Sequence, residues 1–211
     1  MIKVIIADDH KMFREGLKQI LREYPDIIVI DEAGSGQEVL YKIYNNDFDL
    51  LILDISMPGL SGLDVLKELK SNKSGISILI LSMYPEEQYA LRAIKAGASG
   101  YMTKANTPDE LIQAIRKISS GGTYISSSIA EKLLFSLKGD AEKLYHETLS
   151  NREYQIFKMI ASGKTLSQIA DELCLSIKTV STYRARILEK MNMKNNAELI
   201  HYAIKHNLLD N

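Results

Sequence analysis

The feature that most restricts the fold is an alternation in the first 119 residues, where short apolar runs are separated by amphipathic segments. Apolar runs of about four to eight residues are typical of strands that are buried on both faces. Strands that alternate with helical segments form parallel sheets, because each return connection has to cross a face of the sheet. The sequence therefore predicts an α/β fold with a five-stranded, doubly wound parallel sheet. Its predicted strands are Lys3–Ala7, Ile27–Asp31, Leu50–Asp54, Ile76–Leu81 and Ser99–Met102.

The alternation stops near Gly121-Gly122. Residues 121–146 contain one predicted helix, Ser127–Leu137, followed by a polar stretch, and we interpret them as a partly helical linker. Beyond them no strand-like segment remains, and Gly163 lies in a short turn between two predicted helices. This pattern predicts an all-α, four-helix domain that contains a helix-turn-helix. The predicted organisation is residues 1–120, an α/β domain; 121–146, a linker; and 147–211, the helical domain.

Capping patterns mark where the helices begin. In a capping box, a Ser or Thr caps the helix start and a Glu or Gln three residues later caps it reciprocally. The predicted pairs are Ser35/Glu38, Thr107/Glu110, Ser150/Glu153 and Thr165/Gln168. Ser176 is the predicted N-cap of a helix over Ile177–Met191, and a last helix is predicted from about Asn196.

Charge and composition exclude several classes of protein. From Thr148 onward the chain has nine Lys/Arg and six Asp/Glu, a net charge of +3, which leaves −4 for the rest of a chain whose total is −1. A basic C-terminal part suits a partner such as DNA. The single cysteine excludes an intrachain disulfide, and no apolar run approaches the roughly 20 residues that span a bilayer. A soluble cytoplasmic protein is expected.

Acidic residues follow two of the predicted strands. Asp8 and Asp9 come after the first strand, and Asp54 ends the third. In a doubly wound sheet, ligands bind beyond the carboxyl ends of the strands, where these side chains would meet. Three converging carboxylates raise one another's pKa or require a cation, and an all-oxygen set suits Mg²⁺. Ser82 and Lys104 follow the fourth and fifth strands, which makes the predicted site suitable for a phosphoryl group on an aspartate.

The sequence leaves simpler interpretations open for single residues. One Asp at a strand end is usually part of a solvated rim, although four such strand ends together are harder to explain in that way. His10, beside the acids, is either a metal ligand or a solvated loop residue. Cys174 lies between two leucines and is expected in the core of the helical domain.

These motifs resemble those of the receiver domain of two-component response regulators, over roughly residues 1–120. The matching stretches are "ADDH", "LDISMPGLSGLDVL", "LS" and "GASGYMTK". The resemblance implies a flavodoxin-like fold and a phosphoryl group on Asp54. It implies that Asp9 binds Mg²⁺ directly, that Asp8 binds it mostly through water, and that the Ser56 carbonyl completes the metal site. It also implies that Ser82 and Lys104 bind phosphoryl oxygens and that Tyr101 is an aromatic switch that turns inward on activation. Ala105 follows the lysine where many receivers have Pro.

The predicted helix Ile177–Met191 carries cations and hydroxyls on one face, which phosphates and base edges require of a DNA-binding helix. The surrounding sequence is similar to the LuxR-type helix-turn-helix of NarL/FixJ-type response regulators, in "LSNRE", "GKTLSQIADEL", "LSIKTVSTYRARILEKM" and "NNAELIHYA". The similarity implies that base edges are contacted by Ser181, Thr182 and Ala185. It implies that the DNA backbone is held mainly by Lys178, Thr179, Tyr183 and Arg184. Tyr183 stands where many members have His.

The combined resemblance implies a DNA-binding transcriptional regulator that is not an enzyme. A sensor histidine kinase would transfer a phosphoryl group to Asp54, which would release the recognition helix and favour a homodimer on double-stranded DNA half-sites. Two other classes were weighed. A phosphatase or phosphotransferase of the dehalogenase type would need an Asp-x-Asp pair on its first strand, which Asp54-Ile55-Ser56 does not provide. A protein-interaction module would keep the helix-turn-helix without DNA binding.

Overall fold

The structure is a computed structural model that describes residues 1–45, 47–72, 75–137, 145–206 and 208–209. The chain divides into two compact units, Met1–Gly139 and Asp140–Asn211. Each unit is described by itself. No helix in the described ranges has both the length and the apolar character required to cross a membrane.

The first unit is built on a five-stranded parallel sheet with the order β2-β1-β3-β4-β5. The strands are β1 (Ile2–Ala7), β2 (Ile27–Ala33), β3 (Leu50–Leu53), β4 (Ser77–Ser82) and β5 (Gly100–Thr103). The fold class and all five predicted strands are confirmed, with ends shifted by one or two residues. Ala7 pairs with Leu53 and Leu53 with Ile80, so the carboxyl ends of the central strands lie side by side.

Helices follow the strands and cover both faces of this sheet. They are α1 (Lys11–Arg22), α2 (Gly36–Asn45), α3 (Gly62–Asn72), α4 (Glu86–Lys95), α5 (Pro108–Ser119) and α6 (Ser127–Leu137). On one face, buried residues of α1 and α5 pack against alternate strand residues such as Val4 and Ile52. The intervening strand residues Ile5 and Leu51 are also fully buried, so the sheet is covered on both sides.

Local capping chemistry explains where several helices begin. The Thr107 hydroxyl accepts from the Glu110 N–H and the Glu110 carboxylate accepts from the Thr107 N–H, which confirms that capping box. At the start of α2 the arrangement differs. Ser35 accepts from the Glu38 N–H at 3.3 Å, but the Glu38 carboxylate accepts from the Gly34 N–H at 2.7 Å instead of closing the box on Ser35. The Glu38 side chain therefore ties down the residue before the predicted cap.

The chain after α5 returns to the sheet. Tyr124 forms a parallel bridge with Gly100, donating its N–H to the Ser99 carbonyl and accepting from the Tyr101 N–H, at 2.9 and 3.1 Å. Helix α6 then packs against α4 and buries Ile129. The first half of the predicted linker is thus part of the first unit, where it covers the outer edge of β5.

The second unit is helical, as the sequence predicts. A short 3-10 helix over Tyr145–Thr148 precedes α7 (Asn151–Ala161), α8 (Leu166–Glu172), α9 (Ile177–Lys190) and α10 (Asn196–Lys205). The caps predicted at Ser150, Thr165 and Ser176 are all confirmed. Gly163, with φ at 86°, ends α7 in the left-handed conformation that glycine favours.

The prediction for Cys174 is wrong. Its side chain is exposed and its φ is 52°, so it lies in the turn between α8 and α9 with a left-handed backbone. The flanking Leu173 and Leu175 suggested a buried position, but a residue that reverses the chain direction points away from the core that its neighbours enter.

Candidate functional site

Neighbouring strand ends bring the predicted acidic residues together. The Asp54 N–H donates to the Ala7 carbonyl at 2.8 Å, and the Asp8 N–H donates to the Ala33 carbonyl at 3.0 Å. These main-chain bonds extend the parallel ladders by one residue and hold both aspartates at the same edge of the sheet. Both side chains are almost completely buried, at 2–3 % exposure. The edge of the sheet therefore contains a buried pair of carboxylates.

Lys104 balances that charge from the end of β5. Its Nζ lies 2.5 Å from Asp8 Oδ2 and 2.9 Å from Asp54 Oδ2, and its side chain is only 3 % exposed. Burial lowers the pKa of Lys104, but the two carboxylates outweigh that effect and raise it above its ordinary value. The lysine therefore remains a cation within a buried site.

Asp54 is the carboxylate that is most strongly perturbed. Burial raises its pKa to about 6, although the charge of Lys104 acts in the opposite direction. Oδ2 is held by Lys104, whereas Oδ1 is buried and accepts no well-formed hydrogen bond within the described part of the chain. A buried, unpartnered carboxylate oxygen is costly, which indicates a position at which a ligand or a reaction compensates.

Two further side chains complete the cluster. Asp9 is one-third exposed, and the Nδ1 atom of His10 lies 2.9 Å from Asp9 Oδ1 and 3.1 Å from Asp8 Oδ1. Ligand atoms of Asp8, Asp9, His10 and Asp54 all lie within 4.8 Å of one another. Carboxylate oxygens at this spacing fit the ligand set of a divalent cation.

The hydroxyl and aromatic residues lie on the strands beside Asp54. Ser82 is fully buried at the end of β4, and its Oγ accepts from the Tyr84 N–H at 3.3 Å. Tyr101 is buried and its hydroxyl donates to the Tyr84 carbonyl at 2.8 Å, so its ring is in the inward position. Ser56 lies in the loop after β3, and its hydroxyl lies 3.3 Å from the Tyr84 hydroxyl. Tyr84 thus links the Ser56 loop to both Ser82 and Tyr101.

Sequence reasoning missed two residues that support this site. The ring of Phe13 lies under Lys104, with Nζ 4.6 Å from its centroid. Arg14 donates to the Asp8 carbonyl at 2.5 Å and pairs with Glu32. Both belong to α1, where helical periodicity alone gives no sign that a side chain faces a site on other strands.

The candidate DNA-binding surface lies on α9. Lys178, Ser181, Thr182 and Ala185 are exposed at the spacing of one helix face, while Val180 and Ile187 are buried on the opposite face. The N-terminal half of the helix opens onto a surface cavity of about 330 Å³. That cavity is lined by Ser176, Lys178, Thr179, Thr182, Tyr183 and Arg186. This face offers cations and hydroxyls without an apolar patch.

Some of these side chains already have partners within the second unit. The Arg184 guanidinium donates to Asn196 Oδ1 at 2.6 Å, which joins α9 to α10. The Thr182 hydroxyl donates to the Lys178 carbonyl at 3.0 Å, leaving its methyl group and its lone pairs outward. Thr179 and Ser176 share a hydrogen bond of 2.7 Å. Arg184 therefore has a structural contact in addition to any contact with DNA.

A buried acid–lysine site on a 2-1-3-4-5 parallel sheet, followed by a separate helix-turn-helix unit, defines the class of response regulators. Comparison with known proteins agrees. The family model of the response regulator receiver domain matches residues 4–116, and that of bacterial regulatory proteins of the luxR family matches residues 147–203. The chain therefore belongs to the NarL/FixJ-type response regulators, DNA-binding transcription regulators of two-component systems that are not enzymes.

Relatives match over nearly the whole chain. The response regulator UvrY of Escherichia coli K12 is 35% identical over 99% of this chain and 96% of its own. The response regulator GacA of Pseudomonas syringae pv. syringae B728a is 37% identical over 100% of this chain and 99% of its own. A solved structure of RcsB from Salmonella enterica serovar Typhimurium, bound to promoter P1flhDC with the phosphomimetic BeF3−, has a TM-score of 0.65. That similarity covers 95% of this chain and 97% of RcsB at 25% identity.

Proposed function

We propose that Asp54 accepts a phosphoryl group from a sensor histidine kinase in a Mg²⁺-dependent reaction. The observation that carries the proposal is the buried Asp54 carboxylate, whose Oδ1 is unpartnered while Oδ2 is held by Lys104. Because Lys104 fixes one oxygen, Oδ1 is the atom that would attack phosphorus. A bond forms between Oδ1 and phosphorus, the phosphorus–nitrogen bond of the phosphohistidine breaks, and the released imidazole takes a proton from solvent.

The residues present fit Mg²⁺. Asp9 would bind it directly, Asp8 mostly through water, and Asp54 and the Ser56 carbonyl would complete the site, since hard oxygen ligands suit this ion. When bound, the ion neutralises charge on the carboxylates and on the phosphoryl oxygens. Lys104 contributes a second positive charge from the protein, and its pairs with Asp8 and Asp54 hold it in position before the reaction.

After transfer, Ser82 and Lys104 would bind the phosphoryl oxygens. Lys104 already reaches Asp54, so only the Ser82 hydroxyl has to exchange its hydrogen bond with the Tyr84 N–H. Since the Tyr101 hydroxyl is bonded to the Tyr84 carbonyl, a shift of this loop would change the environment of the proposed switch residue.

Incubation with a small phosphodonor and Mg²⁺ tests the phosphoryl-acceptor proposal. One hydroxylamine-labile phosphoryl group per chain is expected, with none in Asp54→Asn and less in Asp9→Ala. Asp109→Asn, which changes an exposed aspartate on α5, serves as the matched control and should be labelled like the wild type. Full labelling of Asp54→Asn would refute the assignment.

For the second unit, we propose that α9 enters the major groove of double-stranded DNA. Ser181, Thr182 and Ala185 would face base edges, because they lie on the exposed face. The DNA backbone would be held by Lys178, Thr179, Tyr183 and Arg184. A phosphorylated homodimer would bind two half-sites about one helical turn apart. The complex of RcsB with promoter DNA supports this mode of binding by analogy.

Salt dependence separates the two kinds of contact. Lys178→Ala should weaken binding to every DNA sequence and reduce the slope of log affinity against log salt by about 1, because each phosphate contact releases a counterion. Substitutions at Thr182 should change the preferred bases instead. Lys205→Ala, at an exposed lysine of α10, is the control and should leave the slope unchanged. An altered base preference with an unchanged slope in Lys178→Ala would contradict this division.

A further inference from the structure

The proposed Mg²⁺ site contains one nitrogen atom that an all-oxygen site does not need. Nδ1 of His10 lies 2.9 Å from Asp9 Oδ1 and 3.1 Å from Asp8 Oδ1. The imidazole ring is 64% exposed, while Asp8 is almost completely buried. The nitrogen therefore lies at the solvent side of the cluster, where it closes the cluster from outside.

These separations agree with ligands that share one metal ion. Adjacent ligands of an octahedral ion, each about 2.1 Å from the metal, are about 3 Å apart. A hydrogen bond explains the contacts less completely, because a single Nδ1–H cannot be directed at two carboxylates at once. In addition, Asp8 Oδ1 already accepts the backbone N–H of His10 at 2.8 Å.

An independent observation indicates a ligand at the same place. Asp54 Oδ1 is buried, and no residue in the described ranges donates a well-formed hydrogen bond to it. Its carboxylate belongs to the group whose ligand atoms, including a His10 nitrogen, lie within 4.8 Å of one another. The cluster thus presents a buried oxygen on one side and an imidazole nitrogen on the other.

The local structure leaves the imidazole available. His10 is the N-cap residue of α1, with φ at −82° and ψ at 98°, but its side chain makes no capping hydrogen bond to the helix. The ring is consequently not needed to start the helix. A substitution at this position can remove the nitrogen without removing a cap.

We infer that His10 Nδ1 is a ligand of the metal site, and that the site therefore favours a divalent first-row transition metal ion over Mg²⁺. This inference rests on the proposed metal site at Asp9 and Asp54. Carboxylates alone suit Mg²⁺, whereas an imidazole nitrogen adds affinity for softer ions in the order Mn²⁺, Fe²⁺, Co²⁺, Ni²⁺. His10 would thus determine which ion the site selects, while the carboxylates determine that it binds one.

Calorimetric titration of the full chain with Co²⁺ and with Mg²⁺ tests the inference. In His10→Asn, which keeps a good N-cap residue, the preference for Co²⁺ over Mg²⁺ should fall by about tenfold or more, with Mg²⁺ affinity nearly unchanged. His10→Ala should do the same, and His201→Asn, at an exposed histidine of α10, is the matched control. Binding of Co²⁺ should also shift the NMR signals of the His10 ring strongly.

The outcomes separate this inference from the proposed function. If Mg²⁺ binds the wild type and the preference for Co²⁺ is the same in both His10 variants, then His10 is not a ligand and the inference is overturned, while the Mg²⁺ site remains. If the wild type binds neither ion, or if Asp54→Asn leaves both affinities unchanged, the proposed metal site itself fails. A fall in the preference in both variants, with His201→Asn unchanged, supports the inference.

Discussion

At the scale of single residues, the Asp54 carboxylate is stabilised less well than its surroundings would allow. It ends a strand whose other residues are fully buried apolar side chains, and only one of its two oxygens has a partner in the described structure. Burial therefore raises its pKa to about 6, above an ordinary value of 3.8. Such a residue is retained at the expense of stability, which is typical of functional sites.

The raised pKa leads to a prediction for Asp54→Asn. Folding favours the protonated carboxyl, so the favourable contribution of Asp54 is complete below about pH 4 and is lost as the pH rises through about 6. Asparagine does not ionise, and the variant should therefore be the more stable protein at pH 7 in the presence of a metal chelator, by up to about 3 kcal/mol. The advantage should shrink as the pH falls toward 4. Urea unfolding across this pH range measures it.

Asp171→Asn removes an exposed carboxylate in the second unit and serves as the control for that experiment. A variant at Asp54 that is less stable than the wild type at neutral pH, or whose advantage does not depend on pH, would contradict the argument.

Gly62 supports the site through its lack of a side chain. A Cβ atom at this position would lie 1.9 Å from the Asp54 carbonyl oxygen and 3.1 Å from the Ile55 Cα. Gly62→Ala should therefore displace the Asp54 backbone, lower the free energy of unfolding by about 1–3 kcal/mol and reduce phosphorylation by the small donor. Urea unfolding and phosphoryl incorporation measure the two effects.

Gly16 provides the matched comparison, since it lies within α1 and a Cβ there meets nothing within 4 Å. Gly16→Ala should raise stability by about 0.5–1 kcal/mol, because alanine is the better helix former. Equal stability of the two alanine variants would show that the contact at Gly62 relaxes without cost.

At the scale of secondary-structure elements, the segment after α5 completes the first unit. The family model of the receiver ends at residue 116, yet Tyr124 pairs with the edge of β5 and α6 covers α4. An exposed sheet edge promotes association, and Tyr124 supplies main-chain partners to that edge. The segment between the two matched domains therefore stabilises the receiver as well as connecting it to the next domain.

Two fragments test this role. Residues 1–139 should fold as a monomer, whereas residues 1–121 should be less stable by several kcal/mol and prone to association, because the β5 edge and the α4 surface are uncovered. In the full chain, Ile129→Ala should cost about 2–4 kcal/mol, since this fully buried side chain joins α6 to the first unit. Urea unfolding and light scattering provide the measurements. Equal stability of the two fragments would refute the proposed role.

At the scale of the whole molecule, the proposed phosphoryl acceptor and the proposed DNA-binding helix belong to different compact units. Regulation then requires a coupling free energy between two sites, which is typically 1–3 kcal/mol. The RcsB complex contains both a phosphomimetic and promoter DNA, which supports a coupling of this kind by analogy.

We expect phosphorylation to release α9 and favour dimerisation, raising the DNA affinity of the full chain by about tenfold. Residues 140–211 alone should bind DNA without a phosphodonor, and the donor should not change that affinity. Ser82→Ala should still be phosphorylated at Asp54 but gain less affinity, because it lacks the hydroxyl that binds the phosphoryl group. Fluorescence anisotropy and analytical ultracentrifugation give affinity and oligomeric state.

The control for this comparison is Asp54→Asn, which should not respond to the donor. If phosphorylation changes neither the affinity nor the oligomeric state of the wild type, the two units are not coupled.

The sequence by itself determined the features that depend on neighbouring residues. Buried strands, capping boxes at Thr107, Ser150 and Thr165, and the left-handed Gly163 follow from side-chain periodicity and local hydrogen bonding, and all were predicted. The motif spacing also placed acids at the correct strand ends, because parallel strands direct their carboxyl ends to one edge.

Only the tertiary structure decided how those residues are partnered. Lys104 neutralises Asp8 and Asp54 together and leaves one Asp54 oxygen unpartnered, which depends on distances between three strands. Tyr124 returns to the sheet edge, and Cys174 points to solvent, because the chain path and not the local composition sets their surroundings. Local pattern specifies an element and its ends, whereas burial and electrostatic pairing arise from contacts between residues that are distant in sequence.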